Sequence, residues 1–372
     1  MNRGNPQKAI PADIKRRIHA LHRRRSNWRG LLTVAFDWAV IAVAAGAALL
    51  SGYHPAVYAL AVVVIGSRQR ALRSLLHEAS HHKLMRNRRA NVWVGRLFTS
   101  FPLLEGLSSY LCAHCEHHRN LWHEQRDPKR RQYAALGLIR PRDPVRFRRR
   151  HLIGPLFLVH VPRNIASALS WSGEDRDETV ARFAFLGAAG TVVVAAGWTV
   201  PVVLLWLVPY VTVYQVLRYY SDIADHAGLE SSDPWRATRS YDASPLVRGL
   251  LAPHDDNLHL AHHLFPAVPH YAGAELHRIL AEVPHYRNGH HCGGFFRPAG
   301  PGRPSVIQDV LHPEHLADYR SGERTNPSSR LRTVLARLTP GALRAWSAPD
   351  LPDAPDPCAG CPLTAKGNDA TG

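Results

Sequence analysis

Residues 31–67 read LLTVAFDWAVIAVAAGAALLSGYHPAVYALAVVVIGS, and Asp37 is the only Asp, Glu, Lys or Arg among them. A continuous helix of that length would measure about 55 Å, whereas the hydrocarbon core of a bilayer is about 30 Å thick. The segment SGYHP at residues 51–55 contains Gly and Pro, which favour a turn. The stretch therefore predicts two membrane spans, at about residues 31–50 and 56–76, joined as a hairpin.

A second apolar stretch follows at residues 183–217, again without Asp, Glu, Lys or Arg, and with GWTVP at residues 197–201. The same comparison of length with bilayer thickness predicts two further spans, at about residues 183–198 and 201–220. We therefore expect an all-α integral membrane protein with four transmembrane helices in two hairpins.

The basic residues indicate the orientation of these spans. Lys and Arg number 46 and Asp and Glu 29, so that the net charge is +17, and Arg residues border both apolar stretches. By the positive-inside tendency, the bordering ends and both termini are predicted to be cytosolic, in a protein of the cytoplasmic membrane. Charge in these positions favours contact with anionic membrane lipids and argues against nucleic acid as a partner.

Composition also divides the chain along its length. Residues 1–30 form a basic cytosolic segment, and residues 31–291 are predicted to be the membrane domain. Residues 292–372 form a cytosolic tail rich in Pro, Gly, Arg and Ser, which we expect to be partly disordered. The sequence assigns no role to two close cysteine pairs, Cys112 with Cys115 and Cys358 with Cys361, although together they match the ligand number of a four-cysteine metal site.

Three histidine clusters are the clearest functional signal. They are HEASHH at residues 77–82, HCEHH at residues 114–118 and HLAHH at residues 259–263. Histidines three and four residues apart share one face of a helix, so each cluster can direct its imidazoles at one point. With 24 histidines in 372 residues, chance would give roughly 0.1 HxxHH triplets, and the chain has two.

The number of histidines argues for two metal ions. Eight imidazoles at ligand spacing exceed what one four- to six-coordinate ion can bind, and imidazole suits Fe, Zn, Cu and Ni alike. His226, beyond the second hairpin, is a ninth candidate, and it lies about as far beyond the apolar stretch that precedes it as His77 does. Asp222 lies four residues before His226, on the same helix face, where it could hold a metal-bound water or orient a ligand.

The clusters, in this order, resemble the three histidine boxes of the membrane fatty acid desaturase and hydroxylase superfamily. The third cluster continues as HHLFPAVP at residues 262–269, which is also similar to the pattern of that superfamily. The resemblance covers roughly residues 31–290. The order of the boxes, and the hairpin between the second and third, make it specific.

The resemblance implies a cytosolic helical cap that holds two non-haem irons. Carried over by position, the iron ligands would be His77, His81, His114, His117, His118, His226, His259, His262 and His263. Residues that could act through water or from a second layer are Asp222, His82, His123 and Glu78. His82 is an additional histidine of the first box and ranks below the others.

The implied chemistry is reductive activation of O2 and oxidation of an unactivated C–H bond. Loss of a second hydrogen gives an alkene, and an acyl chain held in an apolar tunnel would be the substrate. Because no cytochrome b5 signature is found, a separate ferredoxin, rubredoxin or cytochrome with its reductase would supply the electrons. We therefore predict an O2-dependent acyl-chain desaturase.

Two alternatives remain open at this stage. A hydroxylase on the same scaffold would add one oxygen to the substrate instead of removing two hydrogens. A membrane zinc metalloprotease is the alternative from another class, because residues 77–81 match H-E-x-x-H with Glu78 as general base. A protease would leave the other two histidine clusters without a role. A histidine-rich metal transporter is less favoured, because the predicted spans contain almost no ionisable residues.

Overall fold

The computed structural model describes residues 6–141, 143–168, 176–231, 233–300 and 303–311. Most of them are helical. The α-helices longer than seven residues are α1 Ala12–His22, α2 Asn27–Leu50, α3 Pro55–Ser80, α4 Arg88–Gly95, α5 Leu107–Arg119, α6 Pro128–Leu136, α8 Val161–Ala168, α9 Arg176–Ala195, α11 Gln215–His226 and α14 Gly273–Leu280. The shorter ones are α7 Pro144–Phe147, α10 Thr199–Val202, α12 Pro245–Leu250, α13 His259–Leu264, α15 Pro284–Arg287 and α16 Val306–Val310.

Shorter helical turns and one small sheet complete the described chain. The 3₁₀ turns are Pro6–Ala9, Phe101–Leu103, Gly154–Phe157, Pro253–Asp255 and His270–Ala272, and the π-helical turns are Arg96–Ser100, Arg148–Ile153, Val203–Leu207 and Tyr210–Tyr214. The sheet has two parallel strands, β1 Arg239–Tyr241 and β2 His290–Cys292, with Ser240 opposite His291.

Three helices are long and apolar enough to cross a membrane: Asn27–Leu50, Arg176–Ala195 and Thr199–His226, the last of which joins α10 to α11 through two π-helical turns. The turns predicted at residues 51–55 and 197–201 are confirmed, since α2 gives way to α3 and α9 to α10 at these points. The remaining predicted span, at about residues 56–76, lies in α3, whose second half carries Arg68, Arg70 and Arg73. That α3 crosses the membrane remains a prediction.

The second half of α3 is surrounded by protein. Nearly every residue from Ile65 to Ser80 is buried, so the charged side chains of this segment lie inside the molecule. Gly66 makes the packing possible, because a Cβ there would lie 2.6 Å from the Cβ of Val213. This close approach sets α3 beside the helix that continues into α11, and both helices end at the histidines.

The basic N-terminal segment folds against α13 and α14. Ile10, Ile14, Ile18 and Leu21 are buried in one apolar cluster with residues of α13 and α14. Arg17 Nη1 lies 2.6 Å from Glu282 Oε2 at the edge of this contact. Most of this segment therefore packs on α13 and α14, in addition to carrying the positive charge that the sequence indicates.

The chain remains ordered beyond residue 291, where the sequence predicts the tail to begin. Strand β2 extends to Cys292, and Val306 and Val310 of α16 are buried in the largest apolar cluster together with Tyr219 and Ile223 of α11. The start of the predicted tail thus packs on the helix that carries His226. Residues 312–372, including Cys358 and Cys361, lie outside the described residues.

Candidate metal centre

The nine predicted histidine ligands meet in two adjacent groups. The first group contains His77, His81, His114, His118 and His262, and the second contains His117, His226 and His263. His259 joins the second group, because its Nε2 lies 3.1 Å from that of His226 and 3.2 Å from that of His263. The convergence of imidazoles that the sequence predicts is therefore present in the fold.

Within each group the Nε2 atoms face one another. In the first group, His81 lies 2.8 Å from His114, His114 lies 3.0 Å from His118, and His118 lies 3.2 Å from His262. A neutral imidazole nitrogen has either one proton or one lone pair, so a nitrogen between two others satisfies only one of them by hydrogen bonding. A metal ion with 2.1 Å bonds to nitrogen at right angles would hold adjacent ligand atoms about 3.0 Å apart. The donor set therefore fits one metal ion in each group.

Local helix geometry explains how each side chain reaches its group. His77 lies in the last turn of α3 and His81 directly follows that helix. Box two lies in the last turns of α5, box three forms α13, and His226 is the last residue of α11. Four chain segments thus bring their histidine-bearing ends to one place.

Burial keeps the imidazoles in the form that binds metal. Desolvation lowers the pKa of His114 and of His118 well below the ordinary histidine value, and neighbouring histidines lower it further. Neutral imidazole, which has a free lone pair, is the metal-binding form of histidine. The arrangement therefore provides a set of neutral nitrogen donors near neutral pH.

Asp127 orients His117 and was missed by sequence analysis. Its Oδ1 lies 2.9 Å from His117 Nδ1, and its carboxylate accepts hydrogen bonds from the backbone N–H of Trp122 and Lys129. Burial raises the pKa of Asp127, but these hydrogen bonds outweigh it and hold the pKa below its usual range. A carboxylate on the far nitrogen fixes the tautomer and ring orientation of a metal-ligating histidine. The Asp-Pro step that begins α6 was the available signal, since Asp commonly caps a helix that starts with Pro.

Other polar groups contact the remaining Nδ1 atoms more loosely. The nearest carboxylate oxygens are 3.9 Å from His77, in Asp256, and 4.0 Å from His259, in Asp225. The Nδ1 of His226 lies 3.1 Å from the carbonyl oxygen of Ala237. None of these contacts follows a helical or strand spacing, so no local pattern could have indicated them.

Arg239 and Asp309 fix the end of the helix that carries His226. The guanidinium of Arg239 is fully buried and donates hydrogen bonds to the carbonyl oxygens of Ile223, Ala224 and Ala227. Asp309 of α16 neutralises it, with 2.9 Å between Nε and Oδ2. Two carbonyl groups in the last turn of α11 are thereby satisfied, and the end of the helix that carries His226 is held from the start of the predicted tail.

The four residues predicted to act indirectly lie in different places. Asp222 lines a cavity beside the histidines, where its Oδ1 lies 2.7 Å from Lys129 Nζ. Glu78 is buried and is held by Lys83 Nζ at 2.7 Å and by the backbone N–H of His270 at 2.9 Å.

His82 and His123 are separate from both groups. His82 follows the end of α3 with a φ of +52° and belongs to neither group of ligand atoms. His123 is exposed, and its Nδ1 accepts hydrogen bonds from the backbone N–H of Gln125 and Arg126. The positive φ turns the chain at His82, so His82 does not join its neighbour His81 in the first group.

The cavity beside the histidines has a volume of about 400 Å³. His77 and His114 of the first group line it, together with His117, His226 and His259 of the second. A molecule bound in it would contact both groups at once. The cavity is therefore the candidate substrate site.

Comparison with known proteins agrees with this site. A model of the fatty acid desaturase family matches residues 51–294. Dihydrorhizobitoxine desaturase from Bradyrhizobium elkanii is 30% identical over 318 residues, which cover 79% of this chain and 89% of the relative. The residues that the family model matches include all three histidine clusters and His226. On these grounds the chain is a member of the fatty acid desaturase family.

Proposed function

We propose that this protein is a membrane di-iron oxidoreductase that introduces a carbon–carbon double bond into its substrate. In the balanced reaction, two neighbouring carbons each lose one hydrogen. O2 takes up those two hydrogens, two further electrons and two protons, and two molecules of water form. The observation that carries the proposal is the convergence of nine imidazoles into two groups. Within each group, neighbouring Nε2 atoms lie about as far apart as adjacent ligand atoms of one metal ion.

Each part of the proposal has a different support. Membership of the desaturase family supports iron, and two ions of it held at these groups would supply the activation of O2 that an unactivated C–H bond requires. The name of the relative supports desaturation as the outcome. The three apolar helices support a membrane location, and the arginine pattern supports cytosolic termini. A separate ferredoxin, rubredoxin or cytochrome is the proposed electron donor.

The residues of the chain have distinct tasks in this scheme. The nine histidines hold the two ions, and Asp127 keeps His117 in the tautomer whose Nε2 lone pair faces the metal. The 400 Å³ cavity places the substrate against both groups, which brings the reacting carbons within reach.

The zinc protease alternative has less support. Its general base would be Glu78, but the carboxylate of Glu78 already has a salt bridge to Lys83 and hydrogen bonds to His270. In addition, a single zinc ion would leave one of the two imidazole groups without a role. Hydroxylation uses the same site and differs only in the fate of the oxidised carbon.

The product mass separates the desaturase from the hydroxylase. The experiment compares metabolites of the source strain carrying either the wild-type gene or a His117→Ala gene at the same locus. A desaturase predicts that the mutant accumulates a precursor two hydrogens heavier than the wild-type product. A product that is heavier than its precursor by one oxygen would establish hydroxylation instead. Iron analysis of the purified wild-type protein, with two irons per chain expected, separates both from the protease.

A further inference from the structure

The cavity beside the histidines is lined in a way that does not suit an acyl chain. Its aliphatic lining residues are Gly106, Ala113, Pro128 and Ala168, and none of them has a side chain larger than that of proline. The ring of Tyr110 also lines the cavity, where it stacks on His114 and lies beneath the guanidinium of Arg73. Leucine, isoleucine, valine, methionine and phenylalanine are absent from the described lining. The family resemblance, by contrast, predicts an apolar tunnel.

Charged groups take the place of these apolar side chains. Four cations, Arg70, Arg73, Lys129 and Arg218, line the cavity together with four carboxylates, Glu105, Asp222, Asp225 and Asp256. Burying a methylene group is favourable by about 0.8 kcal/mol only when apolar surface receives it. Against these groups, an acyl chain would instead displace their hydrating water without replacing its hydrogen bonds.

Two arginines share one carboxylate at the wall of this cavity. Arg73 Nε lies 3.1 Å and Arg218 Nη1 lies 3.0 Å from the same oxygen, Oε1 of Glu105. Tyr214 donates a third hydrogen bond to that atom. Lys129 pairs with Asp222 and Arg70 with Asp256, and Asp225 lies beside His259 instead. At the contact with Glu105, two guanidinium charges therefore face one carboxylate, which leaves a local excess of one positive charge although the whole lining has as many carboxylates as cations. In the described part of the chain, the other nitrogens of both guanidinium groups donate to no protein acceptor.

The two arginines lie at defined distances along their helices from the histidines of the candidate metal centre. Arg73 precedes His77 by four residues on α3, and Arg218 precedes His226 by eight residues on the other helix. At 1.5 Å per residue these separations correspond to roughly 6 Å and 12 Å along the helices. An anionic group bound by both arginines would therefore leave carbons several bonds away opposite the imidazole groups.

The volume of the cavity also favours a small molecule. A cavity of about 400 Å³ lies near the lower end of the range for small-molecule sites, roughly 300–1,000 Å³. Guanidinium groups bind carboxylates with paired, charge-assisted hydrogen bonds. The lining and the volume thus indicate a small, polar ligand with a carboxylate group.

We infer that the substrate is a small, water-soluble carboxylate whose carboxyl group binds between Arg73 and Arg218, and that it is not a lipid acyl chain. This inference rests on the proposed desaturation. A free fatty acid also has a carboxylate, so the experiment must distinguish a polar molecule from a fatty acid bound by the same arginines.

The test compares source strains in which the chromosomal gene encodes wild-type protein, His117→Ala, Arg218→Gln or Arg303→Gln. Water-soluble and lipid extracts of each strain are analysed by mass spectrometry. Arg303 is a matched control, because it is an exposed arginine paired with Asp242 on the surface. Arg218 is preferred to Arg73 as the target, because its removal leaves Glu105 paired with Arg73.

We expect the His117→Ala strain to accumulate a carboxylate in the water-soluble extract, two hydrogens heavier than the wild-type product. With that isolated compound and purified full-length enzyme, Arg218→Gln should raise KM by roughly 10- to 100-fold, the effect of losing a charge-assisted hydrogen bond. Arg303→Gln should leave KM unchanged. Unchanged iron content of the Arg218→Gln protein would show that its fold is intact.

The opposite outcomes are distinct. Accumulation of a fatty acid or acyl lipid, confined to the lipid extract, would overturn the inference and leave desaturation standing. An unchanged KM in the Arg218→Gln enzyme would overturn the assignment of the carboxylate site. If no pair of compounds differing by two hydrogens appeared in either extract, the proposed function would fail as well.

Discussion

Replacing Asp127 by Asn should weaken metal binding at the group that contains His117. Asp127 Oδ1 faces both His117 Nδ1 and the Lys129 N–H, and its Oδ2 faces the Trp122 N–H at 2.7 Å. An Asn side chain has only one oxygen, so its NH2 group must face at least one of these donors. A buried donor left without an acceptor costs about 1–3 kcal/mol. Loss of the partner that orients a histidine ligand typically lowers metal affinity 10- to 100-fold.

Those factors correspond to about 1.4–2.7 kcal/mol of binding free energy. The assay equilibrates iron-loaded, purified protein with increasing concentrations of a chelator and measures the iron retained per chain. We expect one of two irons in the Asp127→Asn protein to be released at a chelator concentration 10- to 100-fold below that for wild type. Asp143→Asn is the control, because Asp143 also caps a helix but contacts no histidine group. Equal retention by the Asp127→Asn and wild-type proteins would refute the orienting role.

Three further predictions concern the packing of two helices, the pH dependence of stability, and a histidine that we place outside the metal centre. Gly66→Leu should destabilise the protein by about 1–3 kcal/mol through overpacking, whereas Gly46→Leu, in open space, should not; equal melting temperatures in detergent would contradict the close helix contact. Although burial raises the pKa of Asp309, Arg239 holds it well below its ordinary value in the folded chain. Its charge therefore stabilises the fold above pH 4 or so, and that contribution is lost as the pH falls further. Asp309→Asn should lower stability at pH 7 and flatten its decline below pH 4 in unfolding titrations; an unchanged slope would count against the ion pair. His123→Ala should leave both iron content and product formation at wild-type levels, and a loss of iron would place this residue in the site after all.

The sequence was sufficient for the features that depend on local spacing. Histidines three and four residues apart share a helix face, so the boxes could be identified without any structure. The turns at residues 51–55 and 197–201 followed from Gly and Pro within stretches too long for one span. His82 shows the limit of such patterns. It adjoins His81, which belongs to the first group, but the chain turns at His82 with a positive φ, and His82 belongs to neither group.

The features that depend on contacts between different elements could not be predicted. The Asp-Pro step indicates that Asp127 caps a helix, but no periodic pattern links Asp127 to His117, ten residues before it. Arg239 and Asp309 are 70 residues apart, and no spacing rule links them to His226. The cavity is the most important example. Family resemblance suggested an apolar tunnel, whereas the packing of α3 against α11 brings Arg73 and Arg218 to one carboxylate.

The central claim is that two groups of imidazoles hold two iron ions. Full-length protein, loaded anaerobically with Fe(II) and freed of loosely bound metal, provides the most direct test by elemental analysis. The wild-type chain should retain two irons, and His81→Ala and His263→Ala, which each alter one group, should retain fewer. A wild-type chain that bound a single ion, or zinc in preference to iron, would contradict the account.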